Sequence, residues 1–322
     1  MKRLKSRLMI SILAAGFSVS TLAADIEKIH FLIPGGAGGG WDMTARGTGD
    51  VLLKTKLIDT VSFQNMSGGG GGKAIAHLIE TADRQEDTLM VNSTPIVVRS
   101  LSGVFPQSFR DLTPVASIVS DYGAIVVSAD SKYKTWEDVV ADFRKNPRKV
   151  KIAGGSARGS MDHLVVAAAF KGEGFDPKSV RYIAYDAGGK AMAALLSGET
   201  QLLSTGLGEV LEMSKAGQVR ILATTAPKRL PSAPDIPTLT DYGNPTVFAN
   251  WRGFFAAPGV SKEKVAEWDK VLEKMYQTPE WQVVRDRNGW IDNYKPSPEF
   301  YTFLTEQEKQ MGALMRELGF IK

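Results

Sequence analysis

The chain of 322 residues has no cysteine, only three histidines and no uninterrupted apolar run of bilayer-crossing length. Each shortage removes a class of protein. Without cysteine there is no disulfide framework, no thiolate nucleophile and no sulfur-ligated metal, so stability must come from packing. His30, His77 and His163 are too far apart for a metal-binding motif, and neither a metal nor a cofactor is expected. The most apolar stretch, near the start, is broken by serine and threonine before it reaches the roughly 20 residues a membrane span requires.

That stretch has another use. Lys2, Arg3, Lys5 and Arg7 form a basic start, residues 8–15 are nearly all apolar, and Thr21-Leu22-Ala23 supplies a small-x-small cleavage pattern. This is the layout of a secretory signal peptide over residues 1–23, which marks the rest of the chain for export; a periplasmic location is expected, though the signal itself would serve full secretion equally. Removing it also changes the charge. The formal net charge of +4 reflects 39 basic against 35 acidic residues, and residues 1–23 hold four of the basic and none of the acidic ones. The remainder is electrically balanced and has no basic surplus to hold nucleic acid.

What the chain has in quantity is glycine, 32 residues gathered in clusters. The clusters follow short apolar runs. Residues 29–33 read as a strand ending in Pro34-Gly35-Gly36, with a helix from Asp42 to Lys54. Residues 61–65 read as a strand, 66–72 as a turn and 73–81 as a helix, and residues 88–92 as a further buried strand. Two strands are expected at 115–120 and 124–128, near a domain crossing. Beyond them, strands at 149–153, 180–183, 201–204 and 219–224 alternate with helices, the first beginning near Thr135. Four prolines between 227 and 237 exclude a regular helix there, and from Lys262 onward the chain reads as mostly helical. The pattern predicts an α/β fold in two lobes: a discontinuous first domain at 24–122 and 229–322, and a second at 123–228. Ligands of such folds bind beyond the carboxyl ends of strands, where the glycine turns lie.

The turns match no catalytic motif. In Gly36-Ala37-Gly38-Gly39-Gly40-Trp41 the third glycine of G-x-G-x-x-G is replaced by tryptophan, so a dinucleotide is not expected. The run ending Gly72-Lys73 has Ser67 at the first glycine position of a phosphate loop and Ala74 where the magnesium-binding hydroxyl belongs. No G-x-S-x-G nucleophile elbow occurs. What remains is backbone N–H groups at helix starts, able to face an anion. Beside them, Ser156 and Ser160 offer hydroxyls and Arg158 a guanidinium for a carboxylate, while Asp186 could orient Arg158 or accept from a ligand hydroxyl. Each has a plainer alternative: a helix cap for Ser160, a solvent-facing side chain for Arg158, an Asx turn for Asp186. Trp41 and Trp251 are core residues or walls of a cleft.

In order along the chain, Ile33 to Asp42, Asn65 to Gly69, Gly155 to His163, Tyr185 to Gly189, Leu239 to Gly243 and Trp251 to Pro258 together resemble the extracytoplasmic solute receptors of the tripartite tricarboxylate transporter family, the TctC/Bug type. The resemblance implies a type II-like periplasmic binding protein, a two-lobed clamshell that catches a small carboxylate between its domains. It also implies a monomeric receptor with no catalytic activity, partnered by transporter membrane subunits. Carried onto this chain, its ligand-facing positions are Gly36, Gly38, Gly39, Gly40, Trp41, Asp42, Asn65, Ser67 and Gly68 in the first domain. In the second they are Ser156, Ser160, Asp186, Ala187 and Gly188, with Arg158 added from the chemistry of its own residue. Trp41 stands where many relatives have threonine, a variant similar to the tricarboxylate-binding branch, which puts citrate ahead of C4 and aromatic dicarboxylates. An exported enzyme acting on a carboxylated metabolite, or a protein that only binds another protein, are the alternatives.

Overall fold

The structure is a computed structural model, and it describes residues 26–322. The signal peptide expected at 1–23 lies outside the described residues. The chain begins with β1 (Lys28–Ile33), α1 (Gly40–Lys54), β2 (Thr60–Asn65), α2 (Gly72–Glu80), β3 (Thr88–Ser93) and α3 (Pro95–Leu101). β1 lies between β2 and β3 and pairs with both in parallel. Every residue of β3 is buried, as suits a central strand covered on both faces.

β4 (Thr113–Ser128) is followed by α4 (Trp136–Lys145), β5 (Lys151–Gly154), α5 (Met161–Gly172), β6 (Arg181–Ala184) and α6 (Gly188–Leu196). Next come β7 (Leu202–Gly206), the short α7 (Leu211–Lys215) and β8 (Val219–Thr224). β5 pairs in parallel with β6 and β7. The chain returns through β9 (Ala249–Ala256), α8 (Lys262–Tyr276), α9 (Pro279–Asn288), β10 (Ile291–Pro296) and α10 (Ser297–Glu317).

β4 corrects the expectation of two strands at 115–120 and 124–128: it is one strand of 16 residues shared by two sets of partners. Thr113 to Tyr122 pairs antiparallel with β9, which also borders β3. From Gly123 the same strand pairs antiparallel with β7 and β8. The partner set changes between Tyr122 and Gly123, where a Cβ on Gly123 would lie 2.9 Å from Val165. The region after Lys262 is mostly helical, as expected, with one addition: Ile291 to Pro296 forms β10 against β4. Its residues are only partly buried and its register is irregular, so it lacks the clean alternation that marks a half-buried strand.

Three helix starts away from the parallel strand ends, those of α4, α8 and α9, carry their own caps. Thr135 and Asp138 form a reciprocal capping box on α4, and the hydroxyls of Ser261 and Thr278 accept from the first turns of α8 and α9.

Candidate functional site

The carboxyl ends of β1, β3, β5, β6 and β7 converge on a cavity of about 290 Å³, with Asn250 and Arg252 of β9 at its floor. Four helices of at least nine residues begin at its wall: α1, α2, α5 and α6. None of the four is capped by the side chain of its own N-cap residue, and α5 alone has a first-turn N–H taken by a loop side chain, that of Ser156. Their remaining first-turn N–H groups, and the positive end of each helix dipole, are left for something else to satisfy.

Glycine allows these ends to approach so closely. A Cβ on Gly36 would lie 2.8 Å from the Ala187 Cβ, and one on Gly155 would lie 2.4 Å from the Gly188 nitrogen. Loop 68–71 needs glycine for its backbone, with φ of 145°, 60°, 66° and 100° at successive residues.

Of the residues expected at the site, Gly36, Gly39, Gly40, Trp41, Ser67, Gly68, Ser156, Ser160, Asp186, Ala187 and Gly188 line the cavity. The Trp41 indole lies against Gly35 and Gly71 and donates from Nε1 to the Ser93 hydroxyl at 2.9 Å, which fixes its ring as a wall. Ser160 occupies the N-cap position of α5 without capping it. The cap-like contact is made instead by Ser156, whose hydroxyl accepts from the Asp162 N–H at 2.9 Å.

Gly38, Asp42, Asn65 and Arg158 are not among the lining residues. Asp42 is buried and turned inward, accepting from the Gly38 N–H at 3.0 Å, Arg46 Nε at 2.9 Å and Asn65 Nδ2 at 3.0 Å. Asn65 also donates to the Gly35 carbonyl at 2.9 Å, so this pair braces the first glycine loop from behind. Arg158 is exposed, and its carbonyl accepts from Arg99. Asp186 pairs with Lys190 at 3.5 Å and not with Arg158. Trp251 is fully buried, packed on Phe255 and Phe300, and is a core residue. His163 accepts a hydrogen bond at Nδ1 from Gly159 N–H and stacks on Tyr182; burial holds it neutral, with its pKa pushed down to about 4.

Sequence reasoning missed the charged floor of the cavity. Arg252 is 2% exposed and donates from Nη2 to Asp121 at 2.8 Å, with Glu209 at 4.0 Å. Its Nε and Nη1 have no protein partner. A Cβ on Gly40 would lie 2.2 Å from Nη2, so the guanidinium sits directly under the start of α1. Burial pushes Asp121 upward against the pull of Arg252. Burial also raises Asp162 to about 6 and Glu209 to about 7, and the neighbouring carboxylates of Asp121 and Asp162 add to the rise at Glu209. An arginine inside the apolar segment 249–257 was the available signal, since such a residue is buried only with a partner. Among the described residues no cluster of three or more histidine, aspartate or glutamate side chains is arranged to hold a metal.

An α/β sheet with a cleft at its strand ends, ringed by uncapped helix starts, is the architecture of a type II-like periplasmic binding protein. Residues 45–320 match the tripartite tricarboxylate transporter family receptor, and the chain belongs to that family. It is a periplasmic carboxylate receptor and not an enzyme, and its partners are a small solute and the membrane subunits of a transporter. It is 26% identical over 329 residues to protein BugT of Bordetella pertussis, covering 99% of this chain and 98% of that protein. Its fold is similar to the periplasmic binding protein BugD, with a TM-score of 0.81, 21% identity and coverage of 91% of this chain and 98% of BugD. It is also similar to MatC of Rhodopseudomonas palustris, solved with bound malate: TM-score 0.78, 19% identity, coverage of 90% and 99%.

Proposed function

We propose that the cavity captures a small di- or tricarboxylate, citrate foremost, between a lobe formed by 24–122 with 229–322 and a lobe formed by 123–228. The observation that carries this reading is the set of four helix starts around one cavity whose N-cap residues make no side-chain cap, with only the Asp162 N–H of α5 taken by Ser156. Backbone N–H groups in that arrangement satisfy carboxylate oxygens without a cluster of cationic side chains. Ser67 and Ser160 add hydroxyls from opposite walls, and Ala187 and Gly188 bring the second lobe against the first. Gly38, Asp42 and Asn65 serve by shaping the first loop. The cavity lies at the small end of the range for ligand sites, which suits a metabolite of this size.

Citrate is put first because Trp41 followed by Asp42 resembles the tricarboxylate-binding branch of the family, and the fixed indole is a wall of the anion site. The malate bound to MatC supports the broader class of small carboxylates. Calorimetric titration with citrate, tricarballylate, succinate, malate and terephthalate, with and without magnesium, tests the reading. Saturable binding led by citrate is the expected result. A terephthalate affinity about tenfold above that of citrate, or about 1.4 kcal/mol, would move the assignment to aromatic dicarboxylates. A dependence on magnesium would make the ligand a metal complex. No binding to any of the five would end the carboxylate reading.

A further inference from the structure

The cleft wall carries two acids for which a plain anion site has no use. Asp162 is 8% exposed and Glu209 has 15% of its side chain exposed, and both line the cavity. The other charged lining residues offer no compensation. Arg252 pairs through Nη2 with Asp121 at 2.8 Å while its Nε and Nη1 have no protein partner, and Asp186 is paired with Lys190. A fully ionised ligand would therefore meet the carboxyls of Asp162 and Glu209 beside a single guanidinium whose charge Asp121 already balances, in a medium where like charges are poorly screened. Resting on the carboxylate reading of this site, we propose that Glu209, seconded by Asp162, faces the ligand as a neutral carboxylic acid that donates a hydrogen bond, so that the cleft takes up its ligand together with a proton.

Burial favours the neutral form of both acids, and their neighbours pull both ways. Glu209 faces Arg252 from β9, Asp121 from β4, Asp162 from α5 and the Thr205 hydroxyl from β7. Its Oε2 lies 2.2 Å from where a Cβ on Gly188 would stand, so the carboxyl reaches the uncapped start of α6. Asp162 faces Ser156, the N–H groups of loop 155–156, Arg252 and Tyr182. Two of the groups around Glu209 are acids and one is a cation already paired. Burial, helped at Glu209 by the carboxylates of Asp162 and Asp121, brings Glu209 to about 7 and Asp162 to about 6 against the pull of Arg252, and an arriving anion moves both further the same way. The proton comes from solvent and stays on the carboxyl while the ligand is bound; no covalent bond changes.

The test is calorimetry of the purified protein at pH 8, where every carboxylate of the panel above is fully ionised, in two buffers of different ionisation enthalpy. The expected result is a net uptake approaching one proton per ligand, and an affinity that falls by up to about tenfold per pH unit above pH 7. Glu209→Gln, with its fold checked by circular dichroism, should lose most of the uptake and flatten the pH dependence. Asp162→Asn should remove the smaller remainder, and it serves as the deciding variant if Glu209→Gln does not fold. Binding with no dependence on buffer, or an uptake that neither variant changes, would overturn the inference and leave the receptor reading intact. Failure of the whole panel to bind would overturn both.

Discussion

Gly36→Ala separates closure of the cleft from folding of the chain. Gly36 is not in the left-handed region, so alanine brings no backbone strain at that position. The added methyl meets Ala187 Cβ at 2.8 Å, and its next neighbour, the Ser67 hydroxyl, is an ordinary 3.8 Å away. Ala187 stands at the start of α6, on the opposite wall. The overlap therefore exists only while the two walls are together. Overpacking of this kind costs about 1–3 kcal/mol, and if opening of the cleft relieves it the penalty falls on ligand binding. Affinity should drop roughly 5- to 150-fold, while the thermal midpoint of the ligand-free protein stays near that of the parent. Small-angle scattering should show ligand-induced compaction in the parent and less of it in the variant. Unchanged affinity with full compaction, or a large loss of ligand-free stability, would refute the reasoning.

Three further perturbations follow from the site. Ser160→Ala should weaken the preferred ligand by about 0.5–1.5 kcal/mol in calorimetry and leave stability unchanged, because the hydroxyl caps nothing. Arg252→Met leaves Asp121 buried without its partner and should cost about 3–5 kcal/mol in urea unfolding, most of it recovered by Arg252→Met with Asp121→Leu. The ligand-free protein should lose stability as pH rises from about 4.5 through 7. Asp162, Asp269 and Glu209 have folded pKa values raised to about 6, 6 and 7, so the folded state holds protons the unfolded state has released. His163, pushed down to about 4, opposes that slope below its ordinary pKa, and differential scanning of Glu209→Gln against the parent isolates the share of Glu209.

Much of the fold was legible because its signals are local. An apolar run, a glycine turn and a helix start are written next to each other in the chain, and the loops after β1, β5 and β6 all reach the cavity. β4 was less legible because Ser120, Asp121 and Gly123 look like a break. Asp121 belongs inside the sheet only because Arg252, 131 residues away, neutralises it. The same distance hid the charged floor: Asp162, Glu209 and Arg252 come from three separate segments, and nothing beside any one of them announces the others. Asp42 shows the converse. Its place in the glycine motif suggested ligand contact, but Arg46, Asn65 and the Gly38 N–H hold its carboxylate away from the cavity.

A crystal structure of the protein grown with the tightest-binding carboxylate tests the central claim most directly. The ligand carboxylates should accept hydrogen bonds from backbone N–H groups at the starts of α1 and α2 on one wall, and α5 and α6 on the other, with the Ser160 hydroxyl among the donors. A ligand held by one wall alone, or bound outside this cavity with the four helix starts facing only water, would contradict it.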